Sequence, residues 1–115
     1  EQAPAAMLAP DGFSVRWEGA LRVPADGTYV FYLTSDDGSR LFLNGALLID
    51  NWGNHSAQEA RGEIRLKKGR VPIRVEYYED RGFASISLEW SSEHFKRRVI
   101  SDAYFIDSAS ADMDS

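Results

Sequence analysis

The stretch Thr28-Tyr-Val-Phe-Tyr-Leu-Thr-Ser35 is dense in β-branched and aromatic residues, and Tyr29, Phe31 and Leu33 fall on one face at period two. Asp36-Asp-Gly-Ser39 interrupts it, Arg40 to Leu43 resumes an extended run, and Asn44-Gly45 supplies the residues a two-residue hairpin turn needs. Ala46 to Asp50 then pairs back. A strand, a polar break, a second strand and a tight hairpin within about two dozen residues indicate an antiparallel β protein.

Working outward, the same grammar repeats. Upstream, Phe13, Val15, Trp17, Leu21 and Val23 alternate with Ser14, Arg16, Glu18 and Arg22, which predicts a half-buried strand bent or bulged at Gly19. Pro24-Ala-Asp-Gly27 is turn chemistry, because proline fixes one φ and glycine accepts a positive one. Downstream, a polar loop is expected from Asn51 to about Arg61, then a strand from Glu63 to Lys67. A turn at Lys68-Gly69 leads into Val71, Ile73, Val75 and Tyr77, again at period two. After a loop from Glu79 to Gly82, Ala84, Ile86, Leu88 and Trp90 form another amphipathic strand, and a last short one is expected from Tyr104 to Ile106. No window carries an apolar helical face with caps. The fold class is therefore all-β, an antiparallel β-sandwich or barrel. Residues 1–12 read as a linker or first-edge segment, 13–106 as the domain, and 107–115 as an acidic flexible tail.

Composition narrows the function. At 115 residues the chain supports one core, and 43% hydrophobic residues suffice to build it without staples. A net charge of -5 argues against a nucleic-acid partner, which requires a basic stripe. The single basic cluster, Lys96-Arg97-Arg98, reads as a solvated strand end or loop. With no cysteine, thiolate metal sites, disulfides and cysteine nucleophiles are excluded. No apolar run approaches the roughly 18 residues of a membrane helix, so no membrane insertion is expected. The two histidines, His55 and His94, lie far apart and outside any metal-binding spacing. No nucleophile elbow or phosphate loop occurs, and catalysis is not expected, so no catalytic residue is assigned.

The phrases Phe13-Ser-Val-Arg-Trp-Glu-Gly19, Val23-Pro-Ala-Asp-Gly-Thr-Tyr29, Ser35-Asp-Asp-Gly-Ser-Arg-Leu41, Asn44-Gly45 and Asp50-Asn-Trp52, in that order, resemble the PA-fourteen (protective-antigen fourteen) domain. The resemblance runs from about Phe13 to Phe105. It implies a β-sandwich of jelly-roll character, carried as an appendage on bacterial glycosidases, toxins and surface proteins and on yeast adhesins. Many members have an extra strand before the first phrase, where this chain has only Glu1 to Gly12. In lectin-like members two consecutive aspartates hold a calcium ion that in turn holds sugar hydroxyls.

Asp36 and Asp37 occupy that position. Adjacent side chains in an extended strand point to opposite faces, so the two carboxylates converge on one ion only where the backbone departs from strand geometry. A cis Asp36–Asp37 peptide, implied by the resemblance, would do it at a cost of roughly 3 kcal/mol. Calcium takes about 6–8 oxygen ligands, more than two aspartates provide. The resemblance makes the Tyr78–Phe83 segment the second binding loop, where lectin-like members present an asparagine and this chain has Glu79-Asp80-Arg81-Gly82. Glu79 and Asp80 would strengthen a calcium site or crowd out a sugar, and Arg81 would pair with Asp36 or Asp37 instead. Trp52 and then Phe83 are the rings best placed to stack on a sugar; Trp17 and Trp90 are in phase with their strands and belong to the core. Against this stands a plainer reading, in which Asp36-Asp37 is a charged turn capping a strand.

The expected function is a calcium-dependent carbohydrate-binding module of a larger exported enzyme or surface adhesin, located outside the cell, with glycans as partners. The competing expectation is a structural or protein-interaction sandwich that binds no sugar.

Overall fold

The computed structural model describes residues 14–36, 38–52, 58–78 and 85–107, with the backbone alone at Ser14, Val15, Asp36, Tyr78, Ser85 and Asp107. Among the described residues nine strands follow in chain order: β1 (Ser14–Val23), β2 (Gly27–Asp36), β3 (Ser39–Leu43), β4 (Ala46–Asn51), β5 (Gln58–Leu66), β6 (Gly69–Tyr78), β7 (Ser85–Ser92), β8 (Phe95–Val99) and β9 (Phe105–Asp107). They form two antiparallel sheets, one of five strands in the order β4-β3-β6-β1-β9 and one of four in the order β5-β2-β7-β8. The fold is an antiparallel β-sandwich.

The alternation read from the sequence fills the space between the sheets. Trp17, Leu21 and Val23 from β1 and Leu41, Leu43, Val71, Ile73, Val75 and Tyr77 from β3 and β6 face Tyr29, Phe31, Leu33, Ile86, Leu88 and Trp90 from β2 and β7, all buried. Trp90 lies at the centre of an aromatic group, with ring centroids 5.4 Å from Tyr29, 5.3 Å from Phe95 and 5.4 Å from Tyr104.

Four details differ from expectation. β1 pairs with β6 in unbroken register from Ser14↔Tyr78 to Val23↔Gly69, so no bulge occurs at Gly19. Trp17, Gly19 and Leu21 share a parity, and the glycine is there because the Trp17 ring covers it. A Cβ at Gly19 would lie 2.9 Å from Trp17 Cζ2 and 2.5 Å from the Ile106 carbonyl oxygen. Next, the loop expected to run to Arg61 ends earlier, because β5 starts at Gln58 and pairs with Ser35 of β2. β5 is an edge strand whose inward residues Ala60 and Gly62 are small, so its alternation is muted. Gly62 admits close packing of the two sheets, since a Cβ there would sit 2.8 Å from Leu48 Cγ. Lys96-Arg97-Arg98 forms the middle of edge strand β8, where exposed cations discourage pairing with another chain. Finally, the last strand begins one residue late, after a 3-10 turn at Asp102–Tyr104 capped by Ser101, whose hydroxyl accepts from Ala103 N–H at 3.1 Å.

The turns at one end of the sandwich are tied together. Tyr29 Oη donates to Ala25 O at 2.6 Å, Lys68 N–H donates to Asp26 Oδ1 at 2.7 Å, and His94 Nε2 lies 2.8 Å from Asp26 O. Burial pushes the Tyr29 hydroxyl above the usual phenol range.

On the outer face of the four-stranded sheet, Arg97 of β8 pairs with Glu89 of β7 and Glu59 of β5 while its guanidinium lies 4.0 Å from the centroid of the Tyr32 ring of β2. The hydrogen bond from Arg97 is the largest cause holding the Glu59 carboxyl below the usual glutamate range. A depressed folded pKa contributes stability that is present above the unfolded pKa and lost as pH falls through the folded one. Both partners are substantially exposed, so solvent screening limits the effect to about 0.5 kcal/mol. Glu59→Gln is therefore expected to flatten the acid limb of a plot of melting temperature against pH slightly below about pH 4.5, with no change in slope between pH 6 and 8.

Candidate functional site

Three connections cross from one sheet to the other at the end opposite these turns: β2 to β3, β4 to β5, and β6 to β7. Their flanking residues are strand partners. Asp36, the last residue of β2, stands opposite Ser85, the first of β7, and Ser35 opposite Gln58, the first of β5. In the other sheet Ser39, the first of β3, stands opposite Asn51, the last of β4, and opposite Tyr77 of β6. The segments containing Asp36-Asp37, Trp52 and Glu79 to Phe83 thus leave and re-enter the sandwich at one end. Asp37, Glu79, Asp80, Arg81 and Phe83, together with the Asp36 side chain and the peptide joining the two aspartates, lie outside the described residues, as does His55.

Two of the crossings are pinched by buried polar side chains. Ser35 Oγ and Ser39 Oγ, both fully buried, are 2.6 Å apart and fix the span across which Asp36, Asp37 and Gly38 pass. Asn51, 6% exposed, donates from Nδ2 to Gln58 O at 2.9 Å and closes the base of the Trp52 connection. A hydroxyl or amide buried without a partner costs about 1–3 kcal/mol, so these pairs define their loop ends. Serines around Asp-Asp-Gly and an asparagine before tryptophan are visible in the sequence, but their pairing is a tertiary fact.

Trp52 is 39% exposed, one of two large apolar residues on the described surface. Its backbone N–H donates to Asp50 Oδ1 at 3.3 Å, and the Arg40 guanidinium carbon lies 4.5 Å from the ring centroid. Arg40 is itself held by Asp50 at 3.2 Å. Trp52 follows Asn51, the last residue of β4, and so stands at the same end as the three crossings, with the Arg40 guanidinium against its ring. Trp17 and Trp90 are buried, as their phase required.

Among the described residues, no group of three His, Cys, Asp or Glu side chains is gathered to hold a metal. The carboxylates of the crossings supply hard oxygen donors, the type calcium takes and softer metals do not favour. In sequence, Asp36 and Asp37 belong to one crossing and Glu79 and Asp80 to another, and the strands that flank the two crossings are paired, Asp36 opposite Ser85.

The sequence profile of the PA14 domain matches residues 1–104. Among curated proteins, the anti-sigma-I factor RsgI3 of Acetivibrio thermocellus is 40% identical over 101 residues, 87% of this chain and 16% of that protein. Among solved structures, an anti-sigma factor domain-containing protein from Clostridium clariflavum superposes with a TM-score of 0.75 at 39% identity, over 84% of this chain and 34% of that one. A PA14 sugar-binding domain from an RTX adhesin superposes with a TM-score of 0.69 at 25% identity, over 82% of this chain and 53% of that one. The chain therefore spans a minor part of the anti-sigma proteins it resembles.

Proposed function

Because the chain belongs to the PA14 domain family, we propose that it is a calcium-dependent glycan-binding module of a longer protein, displayed outside the cell. One observation carries the reading: the crossings that hold Asp36-Asp37, Trp52 and Glu79-Asp80 all flank one end of the sandwich. Asp36 and Asp37 ligate the ion, Glu79 and Asp80 complete its protein ligands, and two vicinal sugar hydroxyls fill the remaining positions. Trp52, with Phe83 and Arg81 beside the ion, contacts the sugar. Binding, not turnover, is the proposed activity.

The sugar-binding PA14 domain of an RTX adhesin supports the ligand class. The similarity to anti-sigma factors supports a role in which glycan occupancy is read by the rest of a longer chain. The test is retention on a glycan array in calcium and in chelator. Calcium-dependent retention of a defined glycan set is expected. Trp52→Ala should weaken it about tenfold, or about 1.4 kcal/mol, with calcium affinity unchanged. Retention indifferent to chelator would remove the ion from the reading, and no retention at all would favour a protein-interaction module.

A further inference from the structure

We propose that the turn end of the sandwich, opposite the three crossings, docks on an anionic lipid surface and meets its phosphate groups with cations drawn from both sheets. The inference does not rest on the calcium or the glycan reading.

The cations gather only in the folded chain. Over the turns and the last two residues of each strand at this end stand Arg22, Arg65, Lys67, Lys68, Arg70 and Lys96, all exposed. Arg22 of β1 and Arg70 of β6 are direct cross-strand partners, one pair in from Val23↔Gly69. Like charges set opposite each other on adjacent strands are destabilising, so this pair carries a cost. Arg65 of β5 stands opposite Thr28 at the same end of the other sheet, and Lys67 and Lys68 form the β5–β6 turn that joins the two. Lys96 is the second residue of β8.

Carboxylates do not neutralise them. Among the described residues the ion pairs engage Arg40, Arg61, Arg74 and Arg97, and none of these six. Asp26 Oδ1 accepts from the Lys68 backbone N–H at 2.7 Å, and Glu93 Oε1 accepts from Thr28 N–H at 3.3 Å, so both acids of the turns face backbone amides. Asp102, in the 3-10 turn before β9, is the third acid nearby. Six cations against three acids make this end positive on a chain of net charge -5. β1, β2 and β6 are each ten residues long, so the crossings with Asp36-Asp37 and Glu79-Asp80 lie about 30 Å away. The Debye length at physiological salt is about 8 Å, so acid at that distance does not cancel the basic end.

Breadth selects a surface over a single anion. The six come from β1, β5, β6, β8 and a turn, and packed sheets stand about 10 Å apart. One phosphate cannot reach groups spread over both sheets, whereas the headgroups of a fluid bilayer rearrange to meet each of them. The turns cap the sandwich, so the charges lie across its tip, which suits a plane and not a threaded chain. Each Lys or Arg near an anionic bilayer strengthens attachment about fivefold. A module docked in this way holds its three crossings away from the bilayer.

The test is cosedimentation of the protein with vesicles of phosphatidylcholine alone and of equal parts phosphatidylcholine and phosphatidylglycerol. It is run in chelator, so that calcium cannot bridge carboxylates to lipid. Sedimentation with the anionic vesicles only, falling as salt rises, is the expected result. Lys67→Gln/Lys68→Gln and Arg22→Gln/Arg70→Gln should each weaken it about twentyfold, with melting temperature held. Arg16→Gln/Arg61→Gln makes the same charge change away from this end and should alter it by less than about twofold. Equal losses in all three variants would mean that net charge alone acts, and would overturn the inference. So would sedimentation with both kinds of vesicle, or with neither. Release by sodium phosphate should match release by sodium chloride of equal ionic strength; preferential release by phosphate would reveal a discrete anion site and overturn the surface reading. Retention on immobilised polyglutamate without sedimentation on anionic vesicles would make the partner an acidic protein segment, which also overturns it.

Discussion

Trp90→Ala is expected to remove about 4 kcal/mol of stability, the usual loss when a fully buried large aromatic is truncated in a core that cannot collapse around it. Trp90 has no exposed surface, stands opposite Phe31 across the β2–β7 pair, and packs near four rings, Tyr29 and Phe31 of β2, Phe95 of β8 and Tyr104 of the turn before β9. Because its neighbours come from three separate segments of the chain, no single shift refills the space. A domain of this size is typically stable by about 5–15 kcal/mol, so roughly a quarter to four fifths of the margin disappears. Urea denaturation should place the midpoint far below the wild type, with melting lower by roughly 15 °C. Trp90→Phe keeps much of the ring contact and should cost less than half as much. Trp52→Ala makes the contrast, since an exposed ring at a loop should change stability by no more than about 0.5 kcal/mol. A large loss from Trp52→Ala would place that ring in the core and remove it from the ligand site.

The second large effect concerns calcium and stability. A ligand that binds only the folded state stabilises by RT ln(1 + [L]/Kd), about 2.7 kcal/mol at a hundredfold excess over Kd. If the ion bridges the β2–β3 and β6–β7 crossings, it closes two connections between the sheets at one end. Saturating calcium should raise the melting temperature of chelator-treated protein by roughly 10 °C. Asp36→Ala with Asp37→Ala should lose that rise while melting near the calcium-free wild type, because the buried Ser35–Ser39 contact that sets the span is untouched. A double variant that melts far below the calcium-free wild type would mean the aspartates cap the strand instead.

Much of the fold was legible in sequence because most of it is written locally. Tyr29, Phe31 and Leu33 announce β2 by parity alone, and Asn44-Gly45 marks the β3–β4 hairpin, where Asn44 at φ 57° and Gly45 at φ 83° adopt the backbone such turns require. Where the signal is not local, pattern and structure part. β5 hides behind Ala60 and Gly62 because an edge strand packed against Leu48 needs small residues rather than alternation. Gly19 suggested a bulge because glycine in a strand often marks one, whereas here it clears space for a ring two residues away.

The candidate site divides in the same way. Asp36-Asp37 and Trp52 stand out as residues, but that their crossings share one end depends on the pairing of Ser39 with both Asn51 and Tyr77, partners 12 and 38 positions along the chain. Neither the Ser35–Ser39 nor the Asn51–Gln58 pinch has a local signature, since each becomes meaningful only when two strands meet.

The most direct measurement is calorimetric titration of calcium into chelator-treated protein, run in parallel on the wild type and on Asp36→Ala/Asp37→Ala. One calcium per chain with micromolar-to-millimolar affinity in the wild type and no heat in the variant is the predicted result. Heat of equal size in both proteins, or none in either with no change in melting temperature, would contradict a calcium site at the β2–β3 crossing.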